Sequence, residues 1–231
     1  MDSRVKAIFR KYCPSSLWRA LSLARRGLFP RGVKGRSEGQ DLDLYWDEDM
    51  AQLLETWGEG NAWREIQFLM ANCSGRVLDI ACGTGKVMEI FRDDRRLEIH
   101  GCDISDMLIG KAIGRGIARE RLRVCDATQL PYADGEFDFS YSIGSLEHFT
   151  EEGIALAISE AARVTRIASF HMMPVSRSGR DEGWLKTYQT FHNSSPGWWV
   201  AKFDKHFSRV KVLDSRWDDP ISVGNWFICY R

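Results

Sequence analysis

The chain lacks three things: an uninterrupted apolar run long enough to span a bilayer, a cysteine pair at metal-ligand spacing, and a net charge. Without the first, which takes about 20 consecutive apolar residues, nothing in the sequence reads as a transmembrane helix. Its six cysteines, at 13, 73, 82, 102, 125 and 229, contain no CxxC pair. Buried free thiols in a reducing compartment are then the simpler account. The N-terminus has no long apolar segment and no small-residue cleavage site, so no secretory signal is read and a cytoplasmic protein is expected. An Arg-rich, acid-poor start also suits an organelle transit peptide. No internal repeat is visible.

The zero net charge hides an asymmetry. Residues 1–40 carry ten Lys/Arg against Asp2 and Glu38, a surplus of +8 that the rest of the chain balances. Val5, Ile8, Phe9 and Tyr12, then Leu17, Leu21, Ala24 and Leu28, fall at helical spacing among the basic residues. "PRGVKGRSEG" (30–39) reads as a linker. The expectation is a basic amphipathic extension over 1–40 and a main domain over 41–231. Residues 1–35 would make peripheral contact with an anionic membrane, at its inner face, or pack as an ordinary helix. Nothing interleaves stacking aromatics with a nucleic-acid-binding pattern, so no nucleic-acid partner is expected.

With 231 residues, 44% of them hydrophobic, the chain can build one sizeable core. From residue 76 the pattern alternates. Strands are expected near 76–82, 97–103, 122–126, 137–143 and 166–172, with helices near 85–93, 105–119 and 151–164. Further helices fit 47–56, 62–72 and 197–207. This is the signature of an α/β fold with a doubly wound sheet. The last segments, "RVKVLDSRW" (209–217) and "ISVGNWFICYR" (221–231), could pair antiparallel at the sheet edge.

The first strand runs into a small-residue turn, "RVLDIACGTGKVMEI" (76–90). A P-loop is excluded, because Gly85-Lys86 is followed by Val87 and the position five before Gly85 is Ile80. A dinucleotide fingerprint fails too, since the turn reads Ala81-Cys82-Gly83-Thr84-Gly85-Lys86-Val87-Met88, which supplies no G-x-G-x-x-G. That argues against a nicotinamide dehydrogenase. Asp79 ends the strand, where a carboxylate would repel a pyrophosphate but accept a cationic or amine-bearing ligand. Asp103 ends the second strand, 18 residues past Gly85, where open α/β sheets place an acid on ribose hydroxyls. Asp126-Ala127 closes the third, where a carboxylate can accept from an adenine amino group. Each of the last two acids could instead be a helix cap, since Asp103 precedes Ser105 and Asp126 precedes Thr128.

Together "VLDIACGTG" (77–85), "GCDISDML" (101–108), "CDATQLPYADGEFDFSYS" (125–142) and "SLEHF" (145–149) resemble the class I S-adenosylmethionine-dependent methyltransferases of the type 11-like group, over roughly residues 65–173. The resemblance implies a Rossmann-like seven-stranded sheet, mostly parallel with an antiparallel last strand and helices on both faces. It implies S-adenosylmethionine as cofactor. Asp79 and Gly83, in a loop with Ala81 and Gly85, would hold its amino-acid end. Asp103 would take the ribose, Ile104 the adenine face, and Asp126 with Ala127 the adenine edge. Ala81 departs from the family's usual D-x-G-x-G-x-G.

Acceptors in this family sit past the fourth strand, here "SIGSLEHF". His148 is the first candidate for a general base, with Glu147 orienting it or binding substrate; alternatively the two cap and pack the next helix. No metal is assigned. A Glu-His metal pair would need a Glu at 144, which is Gly144, and His171 alone is more simply satisfied by hydrogen bonds. The segment 177–199, with Arg177, Arg180, Trp184, Lys186, Tyr188, His192 and Asn193, suits a sugar or polar-metabolite pocket, although Trp184, Trp198 and Trp199 could simply pack the core edge. Trp46, Trp57 and Trp63 would form a lid. The reading is methyl transfer to an oxygen of a small polar molecule or glycan, as in surface-polysaccharide pathways, which the tail "GNWFICY" faintly resembles. Methylation of a lipid or quinone, or a non-catalytic cofactor-binding regulatory module, are the alternatives.

Overall fold

The structure is a computed structural model that describes residues 42–187 and 189–231. The two basic helical stretches, the membrane contact over 1–35, the domain boundary at 40 and Tyr188 lie outside the described residues. Among the described residues no helix is long and apolar enough to cross a membrane.

The strands are β1 (Gly75–Ile80), β2 (Leu97–Asp103), β3 (Leu122–Val124), β4 (Phe137–Ile143), β5 (Thr165–Ser176), β6 (Gly183–Lys186), β7 (Thr190–Asn193), β8 (Arg209–Asp218) and β9 (Ser222–Tyr230). The helices are α1 (Glu48–Leu53), α2 (Ala62–Leu69), α3 (Lys86–Ile90), α4 (Asp106–Gly114), α5 (Glu151–Val164) and α6 (Pro196–Phe203). Seven strands form one sheet in the order β3-β2-β1-β4-β5-β9-β8. The first five are parallel, and β9 runs antiparallel to both β5 and β8. The last two strands do pair with each other as expected, but β9 is an interior strand and only β8 is at the edge. Its composition fits that place: Trp226, Phe227, Ile228 and Cys229 are all buried.

Burial on both faces explains why the central strands read as continuous apolar runs. Val77, Met172 and Ile228 face a core built with Ile66, Met70, Met88 and Ile109 from α2, α3 and α4. Their neighbours Leu78, Met173 and Phe227 face the other, with Ile154 and Ile158 of α5 and Phe203 of α6. Ser105, Thr150 and Ser195 cap α4, α5 and α6 through their side-chain oxygens. These caps start each helix just past a strand or turn, and so set where the loops at the carboxyl ends of the strands must sit. The 177–199 segment, read from sequence only as a polar and aromatic insertion, contains the hairpin β6–β7, in which Trp184 pairs with His192.

Candidate functional site

A crevice opens at the carboxyl ends of β1, β2 and β4, where the strand order turns from β2 to β4 around β1. Open α/β sheets take ligands at this position. Its walls include Ala81, Gly83, Asp103, Ile104, Asp126 and Ala127, six of the eight residues expected to hold a cofactor. Gly144, Ser145 and Phe149 close the side towards β4, and Tyr45 and Leu54 cover it.

Asp103 is both strut and wall. Its Oδ2 accepts from the Gly83 N–H at 2.9 Å and its Oδ1 from the Ser105 N–H at 3.0 Å. This ties the glycine turn to the start of α4, while each oxygen keeps a second lone pair for a ligand. Burial raises its pKa, and the two N–H groups oppose the rise. At Asp126, Oδ1 accepts from the Thr128 N–H and hydroxyl, both at 2.8 Å. The local turn and a ligand contact are therefore compatible at Asp126, because Oδ2 has no partner among the described residues.

Asp79 and Gly85 lie outside the crevice lining. Asp79 is 3% exposed and accepts from the Tyr141 hydroxyl at 2.9 Å. Burial drives its pKa well up against that hydrogen bond, and Asp103 adds to the rise. Gly85 has φ +72, and a Cβ there would stand 2.9 Å from Ala112 of α4, so its small size lets the turn and α4 approach each other. Ala81, where the family's first glycine would be, has φ +59; among the described residues it is the one non-glycine in the left-handed region.

The cover is the segment 42–57. The Ser105 hydroxyl donates to the Tyr45 carbonyl at 2.6 Å, Trp46 donates its indole N–H to Asp106, and Lys111 pairs with Glu48. Arg115 joins Glu55 on the cover to Glu89 and to the Thr84 carbonyl of the glycine turn. Of the three tryptophans expected as a lid, Trp57 packs on Gly144, Trp46 is 43% exposed, and Trp63 is buried in the core.

Glu147 and His148 sit just behind the Gly144 wall, in a short turn against β7. His148 Nδ1 lies 2.9 Å from the Thr190 carbonyl, which can only accept. The proton is thus on Nδ1 and the lone pair on Nε2, 3.7 Å from Glu147 Oε1. Burial pushes Glu147 up to about 8 and holds His148 down to about 4. At neutral pH both are uncharged, so the contact is not an ion pair. Glu147 Oε2 is buried with no partner among the described residues. His171 is also buried, with Ser142 and Ser169 hydroxyls on its two ring nitrogens at 2.8 and 2.7 Å.

None of the described residues named in 177–199 lines the crevice, Tyr188 lying outside them. Arg177 is held by Asp218, and Asn193 donates to Glu182. His192 is stacked between Trp184 and Trp198, with ring centroids at 4.3 and 5.2 Å. Tyr45, Leu54 and Tyr141 were not anticipated. Leu54 falls within the helical stretch read over 47–56 and Tyr141 within the motif stretch 125–142, but neither stretch marks its side chain as part of the site, and no motif covers Tyr45.

The residues present fit a sulfonium nucleoside. Among the described residues two carboxylates and no Lys or Arg line the crevice, which suits hydroxyls and amines and disfavours phosphate. At Gly83 a Cβ would come within 3.3 Å of Leu54, so glycine leaves room between turn and cover.

Residues 77–167 match a family profile described as a methyltransferase domain. A probable tRNA methyltransferase 9B of Mus musculus is 38% identical over 109 residues, 46% of this chain and 23% of that protein. The chain thus spans less than a quarter of that relative's length. The ubiquinone/menaquinone biosynthesis C-methyltransferase UbiE of Burkholderia mallei is 28% identical over 173 residues, covering 71% of this chain and 70% of that one. Among solved structures, a Haemonchus contortus phosphoethanolamine N-methyltransferase 2 in complex with S-adenosylhomocysteine superposes with a TM-score of 0.64 at 16% identity, over 88% of this chain and 61% of that one. Residues 77–167 are therefore similar to a methyltransferase domain, and the fold is one that the superposed methyltransferase shares.

Proposed function

We propose that the protein transfers a methyl group from S-adenosylmethionine to an oxygen of a small polar molecule or glycan. One observation carries this reading: a phosphate-averse crevice ends at Gly144, and directly behind that glycine stands a buried carboxyl with an unpartnered oxygen. When bound, the cofactor supplies a methyl already made electrophilic by its sulfonium. The protein's tasks are to hold the acceptor in line, exclude water and take up one proton.

Asp103 and Asp126 hold the nucleoside, and the 42–57 segment excludes water. Burial reorders the Glu147–His148 pair relative to the sequence reading. With a pKa near 8, Glu147 binds a proton more tightly than His148 near 4, so the carboxylate of Glu147 is the base. His148, fixed by Thr190, packs beside it with Nε2 3.7 Å from Oε1. A hydroxyl acceptor fits because it must lose a proton as its oxygen gains the methyl.

Because the base works only when ionised, methyl transfer should rise with pH through about 8 and level off above it. Glu147→Gln should lower kcat by about 10²–10⁴-fold and abolish that rise, leaving S-adenosylhomocysteine affinity unchanged. Label transfer from methyl-labelled cofactor into extracted polar metabolites and glycans, followed across pH, measures both. A variant that keeps the wild-type rate and pH profile removes Glu147 from the chemistry. Methylation of a quinone is the second reading, supported by the likeness to the UbiE protein over most of both chains. Label recovered in the organic-solvent fraction would favour it.

A further inference from the structure

At the opposite end of the sheet from the cofactor crevice, where β1, β2 and β4 begin, lies an open groove of about 550 Å³. Five arginines line it, Arg76, Arg92, Arg95, Arg96 and Arg121, against Asp94, Glu98 and Asp138. The two ends of β1, Gly75 and Ile80, are five residue steps apart, about 16 Å, so the groove is separate from the crevice.

The three acids are already engaged. Asp94 receives Arg96 through two nitrogens at 2.9 and 2.6 Å. Asp138 takes the Arg76 N–H and the Arg166 guanidinium. Glu98 accepts from His100 and lies 4.0 Å from Arg76. Three of the arginines are also pinned in place. Arg92 donates to the Arg115 carbonyl, Arg96 to the Ala71 carbonyl, and Arg76 lies over the Phe137 ring. The Arg95 and Arg121 side chains make no hydrogen bond or ion pair among the described residues, although Arg121 is near enough to help lower the pKa of Glu98, and both are exposed. The groove thus carries a surplus of two positive charges, on two guanidinium groups whose donors are unused.

We propose that this groove binds a compact diphosphate anion, one phosphate on each free guanidinium. A guanidinium presents a planar fork of N–H donors that matches two phosphate oxygens at once. The volume lies within the usual range of small-ligand sites, about 300–1,000 Å³. Two tetrahedral anions joined by an oxygen offer one phosphate to each free guanidinium, in a groove whose other arginines are held in place. The site is independent of methyl transfer, since no residue that lines the groove lines the crevice.

The test is isothermal titration of the full chain with inorganic pyrophosphate at low ionic strength. Saturable binding at one site is expected, weakened at least about tenfold by Arg95→Ala/Arg121→Ala. S-adenosylhomocysteine affinity, measured on the same preparations, should stay constant and shows that the variant is folded. No saturable heat overturns the proposal. So does equal binding by the double variant, which would place the anion elsewhere, the basic stretch 1–40 included. A short single-stranded RNA that binds more tightly than pyrophosphate, with the same arginine dependence, would replace the diphosphate by a phosphodiester chain.

Discussion

Ala81, Gly83 and Gly85 all run at positive φ, 59°, 54° and 72°, yet a side chain costs something different at each. Ala81 already bears a left-handed cost of about 1–2 kcal/mol, at a point where its methyl faces the crevice. At Gly83 an added Cβ meets only the far end of Leu54, which can swing away. At Gly85 it meets Ala112, at 2.9 Å from the Cβ and 3.4 Å from the backbone Cα, and neither has a rotamer to yield. Gly85→Ala should therefore destabilise the fold by about 2–4 kcal/mol, from overpacking plus backbone strain. Gly83→Ala should lose less stability and more affinity, because the displaced Leu54 belongs to the cover. Thermal unfolding set beside S-adenosylhomocysteine titration separates the two. Equal losses of both kinds in both variants would mean that the turn acts as one unit.

The cover is the element on which access depends. The crevice encloses about 80 Å³, well below the ~300 Å³ at which small-ligand sites begin, so the 42–57 segment must move for a nucleoside to enter. Few bonds resist that motion. Arg115 supplies one of them, to Glu55, and ties that contact on to Glu89 and to the Thr84 carbonyl of the glycine turn. Arg115→Ala should raise the dissociation rate of S-adenosylhomocysteine by about tenfold or more, as charge-assisted bonds worth about 1.5–3 kcal/mol are lost, with the association rate changed less. Stopped-flow displacement measures it, and an unchanged rate would place the closing contact elsewhere on the segment.

Many elements could be read in the sequence because β2 ends at Asp103, β4 runs into Gly144, and five of the six helices start at a side-chain cap. The hairpin β6–β7 could not, since Gly183–Lys186 and Thr190–Asn193 are short and lack a clean apolar alternation. The interior place of β9 depends on pairing with β5, which is distant in sequence. That the acids at 103 and 126 line the crevice was legible from their places at and just past the ends of β2 and β3. The depth of Asp79 was not, because it comes from Tyr141 packing on it from β4.

At the scale of the whole molecule, the buried ionisable groups divide into two sets with opposite effects on stability. His148, His171 and His192 are held by burial at about 4, 3 and 4. Each folded value lies below that of the free residue, 6.5, so their stabilising effect is present above pH 6.5 and is lost as pH falls. Glu147 has the opposite sign. Its folded value of about 8 lies above 4.5, so the native state keeps a proton that the unfolded chain has released, and stability falls as pH rises between the two. Asp79, also raised, acts in the same direction. From 4.5 to 6.5 the two sets offset each other. Above 6.5 the histidines no longer contribute a slope and the acids act alone. Stability should then be greatest near pH 6 and fall by about 2 kcal/mol towards pH 8 for Glu147 alone, at 1.36 kcal/mol per pH unit. Glu147→Gln should reduce that fall and be more stable than the wild type at pH 8, while losing the proton acceptor proposed for methyl transfer. Urea denaturation midpoints at pH 6 and 8 test this: a wild type equally stable at both, or a variant that falls as steeply, would mean that Glu147 is ionised in the fold. The pH range that activates the base is thus the one in which the fold weakens.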